Sequence, residues 1–492
     1  MKQMKALAVA ISAALLAACG GDSSSSDNNT VTAPKTYNFP SKVDANADSS
    51  VSYSGQVARN AMINELKVLM TNAQLASELG GELSVGDAVA KKLALVYEGG
   101  TTGGNGNTGD ADLTNKNAYT LAAQVTTVGL SKGTPESVFE EADYGDISTG
   151  KKLIDKIAGK DNDLARGEFI GWNIITEADV AAENGKPNML VQQWFAAIAG
   201  QAADQGHTLA DYVSETGLDY SQLTQKFLLG AVAFSQASND YLKDSEGLSK
   251  QNSTGVKKEG STKPYTDLEH QWDEGFGYFG AARDYNNYSD ADLKAQKDND
   301  TNKDGIIDLD SEYTFAMAQY ANKRDASAIG SDYSKAIMDN FLKGRQLIQN
   351  NFGTNPVPDQ GYHAELAAIA KDIIMDWEEI FAANIIHYIN ATIEDLATYE
   401  TTASDPNLTK LAKHWSELKG FALAIQFNPE ATSKLSNQDL KDLNNFIGQQ
   451  PVLPNQPMVA AVISEQTYTE KLESARDLLK TKFGFEGDVT QW

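Results

Sequence analysis

A chain of 492 residues with ordinary apolar content is long enough to bury a large core and to hold more than one domain. Its formal charge of −26 falls near −28 once Lys2 and Lys5 are removed. That balance excludes the basic character of nucleic-acid binders and disfavours an anionic lipid surface. It favours solubility and, at the level of composition, cations as ligands.

Lys2 and Lys5 precede an apolar run from Ala6 to Ala18, which ends at Cys19, the single cysteine of the chain. No disulfide can form within the chain, and the run is too short to span a bilayer. Leu16-Ala17-Ala18-Cys19-Gly20 resembles the lipobox of bacterial lipoproteins. The resemblance implies a signal peptide over 1–18, cleavage before Cys19 and a membrane anchor through lipid on that residue. Gly20, rather than Asp, as second residue of the mature chain implies the outer membrane. Residues 19–35 read as a disordered tether, because Gly20 to Thr30 is almost all Gly, Asp, Ser and Asn.

Ordered structure is expected from about residue 36. A helix is predicted from near Gln56, with Met62, Ile63, Leu66, Leu69 and Met70 on one face. A second follows over Leu83 to Tyr97, then a Gly/Thr/Asn-rich loop over Glu98 to Asp112. Helical patterns resume over Glu136 to Ala158, Met189 to Ala203 and Tyr220 to Leu242. Asp244 to Thr266 reads as a polar loop. Ala336 to Ile348, His363 to Leu396 and Leu472 to Phe483 complete the helical set, with a bend at Pro451, Pro454 and Pro457. Strand-like alternation is almost absent, so the expected fold is an all-α bundle.

Two stretches echo each other. Trp272, Glu274, Gly277 and Tyr278 match Trp415, Glu417, Gly420 and Phe421 at one offset of 143 residues. Each follows a long helix, which predicts an internal duplication with repeats at about 220–285 and 363–428. His270 and Glu274 stand four residues apart, and His414 and Glu417 three apart, so each couple would share a helix face. Facing copies could join His270, Trp272, Glu274, His414, Trp415 and Glu417 in one ligand or metal site. The competing structural reading has the tryptophans in the core and the glycines at close helix crossings.

The sharpest motif is Asp300-Thr301-Asn302-Lys303-Asp304-Gly305-Ile306-Ile307-Asp308, inside an apparent insertion over 297–312. It resembles an EF-hand-type calcium loop. Asp300, Asn302, Asp304, the Ile306 carbonyl and Asp308 would be the ligands, with Gly305 at the turn. Ser311 stands where the bidentate glutamate belongs, and Glu312, one residue later, would reach in as the sixth ligand. Gly361-Tyr362-His363-Ala364-Glu365 resembles the Gly-x-His-x-x-Glu signature of imelysin proteins, with the glutamate one residue early.

Ser52-Tyr53-Ser54-Gly55-Gln56-x-x-Arg59, Glu269 to Gly280, Asn322-Lys323-Arg324-Asp325, Gly344-Arg345, Ile386 to Asn390 and Ala475-Arg476-Asp477 together resemble the bacterial domain of unknown function 4856 family. The resemblance implies a mainly helical, lipoprotein-type protein and supplies no catalytic residue. The resulting expectation is an outer-membrane-anchored binding or accessory lipoprotein without enzymatic activity. It would carry structural calcium and bind a small ligand, another metal or an envelope protein, with iron or metal uptake as one setting. Two alternatives stand beside it: a metal-dependent, peptidase-like hydrolase using the His/Glu couples, and a purely structural envelope component.

Overall fold

The computed structural model describes residues 32–71, 84–99, 139–141, 144–173, 183–258, 260–295, 297–325, 332–398, 405–453 and 467–492. The lipobox with Cys19, most of the tether, the Gly-rich loop beyond Gly99, and Pro454 and Pro457 lie outside these residues. The described helices are α1 (Ser54–Met70), α2 (Val85–Glu98), α3 (Tyr144–Ile147), α4 (Lys186–Ala203), α5 (Tyr220–Leu228), α6 (Asp267–Phe279), α7 (Asp290–Lys294), α8 (Ala316–Asp325), α9 (Tyr333–Asn350), α10 (Gly361–Thr398), α11 (Asp405–Ala424), α12 (Asn437–Ile447) and α13 (Tyr468–Phe483). The fold is all-α. Among the described residues the only sheet is a hairpin of two two-residue strands, Lys257–Lys258 and Ser261–Thr262. No described helix is long and apolar enough to cross a membrane.

The expected elements form where apolar spacing and end signals agree. Thr266 caps α6 in a reciprocal box with Glu269, and Gly280 closes the helix in the left-handed region at φ 81°. Ser436 and Thr467 make the same box at α12 and α13. The 38-residue α10 keeps three-and-four spacing throughout and packs between α9 and α11. One expectation fails. The pattern over Glu136 to Ala158 yields only the single turn α3 among its described residues, followed by irregular chain. Gly150 and Gly159 take φ +69° and +83° there, a conformation that ends helices. The helix from Tyr220 continues beyond α5 but widens to π geometry at Leu229–Phe234 and again at Ala237–Tyr241.

Both tryptophans of the echoed stretches are fully buried. Trp272 donates to the Phe341 carbonyl at 3.0 Å, and Trp415 to the Tyr468 hydroxyl at 2.6 Å. Their neighbouring helices come close enough to require glycine. A Cβ on Gly344 would sit 2.0 Å from the Trp272 ring, and one on Gly420 would sit 2.6 Å from the Lys226 Cβ. In the chain, α11 follows the 38-residue α10, whereas α6 follows the nine-residue α5, its π-widened continuation and a loop.

A polar knot lies within this apolar core. Arg345 of α9 is wholly buried and donates from Nη1 to Glu269 (2.9 Å), from Nε to Asp273 (2.8 Å) and from Nη2 to the Ser50 hydroxyl (2.7 Å). Asp273 also accepts from the Tyr37 hydroxyl at 2.8 Å and the Ser52 amide at 3.1 Å. The knot therefore joins the segment before α1, helix α6 and helix α9. Breaking it in Arg345→Met strands two buried carboxylates and should lower unfolding free energy in urea by about 3–5 kcal/mol. Tyr37→Phe, which removes one donor, should cost about 1 kcal/mol. A smaller loss for the arginine variant than for the tyrosine variant would remove the knot from this central role.

Lys419 of α11 is a second buried cation, with Asn444 Oδ1 at 2.9 Å and the Trp172 ring at 5.9 Å. Burial pushes its ammonium down to about 7 from 10.5. Between those values the unfolded chain holds a proton that the folded chain has released, so this site's contribution to stability rises with pH. The stability advantage of Lys419→Met over the native chain should shrink as urea midpoints are taken from about pH 7 to about pH 9. A difference that stays constant with pH would contradict it.

Candidate functional site

Helix α6 turns its buried face toward Arg345 and its next face toward an open cleft. Residues 269 and 273 share one face at i, i+4, and residues 270 and 274 share the neighbouring one. The cleft has a volume of about 570 Å³. Its walls come from the start of α1 (Ser52 to Gln56, and Arg59), the irregular chain after α3 (Ser148, Lys151, Lys156), the end of the π segment (Asp240, Tyr241), the loop before α6 (Lys250, Lys258, Lys263, Tyr265) and α6 itself (His270, Gln271, Glu274). The π widening sits beside it, a distortion that recurs at functional sites.

The polar groups of the cleft are held in place. His270 Nδ1 lies 3.0 Å from the Ser52 carbonyl, which can only accept, so Nδ1 carries the hydrogen and Nε2 is turned toward Glu274 at 3.7 Å. The imidazole stacks on Tyr265 at 4.6 Å. Glu274 accepts from Gln56 at 2.8 Å and from Gln271 at 3.4 Å. Arg59 is buried against the Lys152 and Gly55 carbonyls at 3.0 and 3.2 Å. Burial raises the carboxyl of Asp240. Burial also lowers the Lys151 ammonium, and the charges of Arg59 and Lys258 lower it further.

The second His/Glu couple does not join the first. His414 Nδ1 pairs with Asp395 at 2.7 Å, and Glu417 pairs with buried Lys226 at 3.2 Å. Helical spacing brought His414 and Glu417 near one face, but each found a stronger partner on another helix. Trp272 and Trp415 pack the core and line no cleft wall. Among the described residues, no three His, Cys, Asp or Glu side chains converge as a metal site would require. His363 is fully buried at the start of α10, where Nδ1 accepts from the Asp359 amide at 3.2 Å, while Glu365 lies on the surface beside Lys343 at 3.6 Å.

The acidic loop folds on itself. Asp300 accepts from the amides of Lys303, Asp304 and Gly305, with Gly305 at φ +87°. Asn302 and Asp304 accept from the amides two residues on. Glu312 is buried and reaches back across the loop to the Thr301, Asn302 and Asp308 amides. Ile307 bridges to Phe139 in parallel. Asp308 accepts from the Asp310 amide at 2.7 Å. The Ile306 side chain is exposed. Tyr53 connects this loop to the cleft: its hydroxyl donates to the Asp310 carbonyl and accepts from Arg283 Nε at 3.0 Å.

The family described as Domain of unknown function (DUF4856) matches residues 132–449, more than half of the chain. No curated protein and no solved structure matches it.

Proposed function

The chain belongs to the Domain of unknown function (DUF4856) family, whose description assigns no activity, and on that premise we propose that it is a ligand-binding lipoprotein of the cell envelope. Lipid on Cys19 anchors it at the outer membrane, and the cleft beside α6 is where a small hydrophilic ligand sits. The observation that carries this reading is the cleft itself. About 570 Å³ is within the range of small-molecule sites, and its wall is built by five separate segments meeting around fixed polar side chains. The usual ligand pocket is mainly apolar, whereas this one exposes amides, hydroxyls and charges, which suits a ligand that is itself polar. His270 and Glu274 have the reach for hydrogen bonding to such a ligand. In this reading they act as binding groups and not as part of a hydrolytic centre.

Native mass spectrometry of the protein purified from its own host is the direct test. The expected spectrum shows a small molecule on the native protein that is lost in a Gln56→Ala/Glu274→Gln double variant of unchanged circular dichroism. An empty native protein, together with no thermal shift across a broad metabolite library, would end the binding reading. Turnover of a substrate panel abolished by Glu274→Gln alone would replace it with the hydrolase.

The acidic loop has a separate role in the same proposal: Asp300, Asn302, Asp304, the Ile306 carbonyl, Asp308 and Glu312, whose carboxylates do not stand together as a preformed cluster, would close around a structural calcium ion. Supporting it is the inward reach of Glu312 from one position beyond the usual closing glutamate. Calorimetry with calcium chloride should give heat that Asp304→Ala abolishes. No heat from the native protein would remove the claim.

A further inference from the structure

We infer that the protein holds a partly hydrated divalent cation in a cavity beside the acidic loop, with the Asp284 carboxylate as its direct ligand. This site is separate from the α6 cleft and from the calcium ion assigned above to the loop itself. The cavity has a volume of about 370 Å³ and lies where the chain before α1, the turn after α6 and the outer side of the loop meet. Of the six loop ligands named above, Asp300 alone lines it. Asp300 already accepts from the amides of Lys303, Asp304 and Gly305, so the uncommitted charge in the cavity is that of Asp284.

Asp284 opens a 3-10 turn over Tyr285–Asn287, yet its side chain caps none of that turn's amides. The residue is 4% exposed. Oδ2 accepts from the Asn299 amide at 2.6 Å, whereas Oδ1, also out of solvent, has no hydrogen-bond partner among the described residues. A carboxylate oxygen buried without a donor has lost hydration with nothing in exchange, and such an oxygen calls for a water or an ion. Burial raises the carboxyl, and the Asn299 and Asn287 side chains temper that rise. A cation at Oδ1 is the partner that would keep the group ionised.

The rest of the lining is rich in hard oxygen donors. Asn38 and Asn287 offer amide oxygens, Thr36 and Thr301 hydroxyls, and no histidine, cysteine or methionine lines the cavity. Donors of this kind suit calcium or magnesium better than a softer transition metal. The volume admits an ion with several of its waters. One direct carboxylate with water in most other positions is a common way to hold magnesium. Two cationic side chains share the wall. Arg283 donates from Nε to the Tyr53 hydroxyl at 3.0 Å and lies over that ring at 5.4 Å, which commits it to the start of α1. Lys303 is exposed on the loop.

Calorimetric titration of the full chain with calcium chloride and, separately, magnesium chloride tests this. Sodium chloride at about 0.15 M screens loose surface binding. Titrations run to about 10 mM, above the range of weak extracellular sites. The Asp304→Ala variant, whose altered residue does not line the cavity, should still bind one divalent cation. Adding Asp284→Asn, which keeps the side-chain shape and removes a buried charge, should abolish that binding with unchanged circular dichroism. Asn299→Ala, at an exposed residue that fastens Oδ2, should weaken the same ion roughly tenfold or more. Ranking calcium against magnesium identifies the preferred ion. Native heat lost wholly in Asp304→Ala would keep the loop calcium and overturn this second site. Heat untouched by Asp304→Ala but lost in Asp284→Asn would remove the loop calcium and support the second site. Uptake by Asp304→Ala that survives Asp284→Asn overturns the inference. Should the Asp284 variant fail to fold, full affinity in Asn299→Ala overturns it as well.

Discussion

The guanidinium of Arg345 is the constraint on which the candidate site depends. It is buried between Glu269 and Asp273, and its third nitrogen, Nη2, donates to Ser50. An isolated arginine in this position would be prohibitively desolvated, so both carboxylates have to be present for the helices to pack. Glu269 and Asp273 in turn set the rotation of α6. Residues one step further along the helix are turned by about 100°, and these are His270 and Glu274. Anchoring one face thus aims the neighbouring face into the cleft. Asp273 also receives Tyr37 and the Ser52 amide, which draws the segment leading into α1 against the same helix. The cleft exists because α1 and α6 are held together at their starts while the loop before α6 arches over the gap.

Much of the scaffold was legible in the sequence because helices carry a local signal. Three-and-four spacing located α1, α2, α4, α9, α10 and α13 to within a few residues, and the echo's own glycines, Gly277 and Gly420, do lie at close approaches, to Tyr53 and Lys226. The Glu136 to Ala158 pattern misled because apolar spacing survives in a segment that Gly150, and Gly159 just beyond it, interrupt with left-handed backbone. The site was less legible for a physical reason. The Arg345 contacts span more than seventy positions of sequence, and nothing in the local composition of Gly344-Arg345 says which carboxylates it will meet. The lysines of the loop before α6 read as solvated loop charge, since a cluster becomes visible only when Arg59 and Lys151 are brought beside it.

The two echoed helices show how similar packing can serve unlike ends. Each buries a tryptophan whose indole nitrogen is satisfied, and each crosses a neighbour at a glycine. Their glutamates diverge. Glu417 is shut in by α5 and α10, where it holds Lys226, itself bonded to Gln222 and Gln225. Glu274 faces the cleft, where it meets Gln56, Gln271 and His270. The difference lies in what covers each helix. The faces of two helices, α5 and the 38-residue α10, seal α11, whereas α6 is covered on its cleft side by a helix end and an irregular loop. A helix end and a loop cannot pack without gaps as two helix faces do, so the opening arises where regular structure stops.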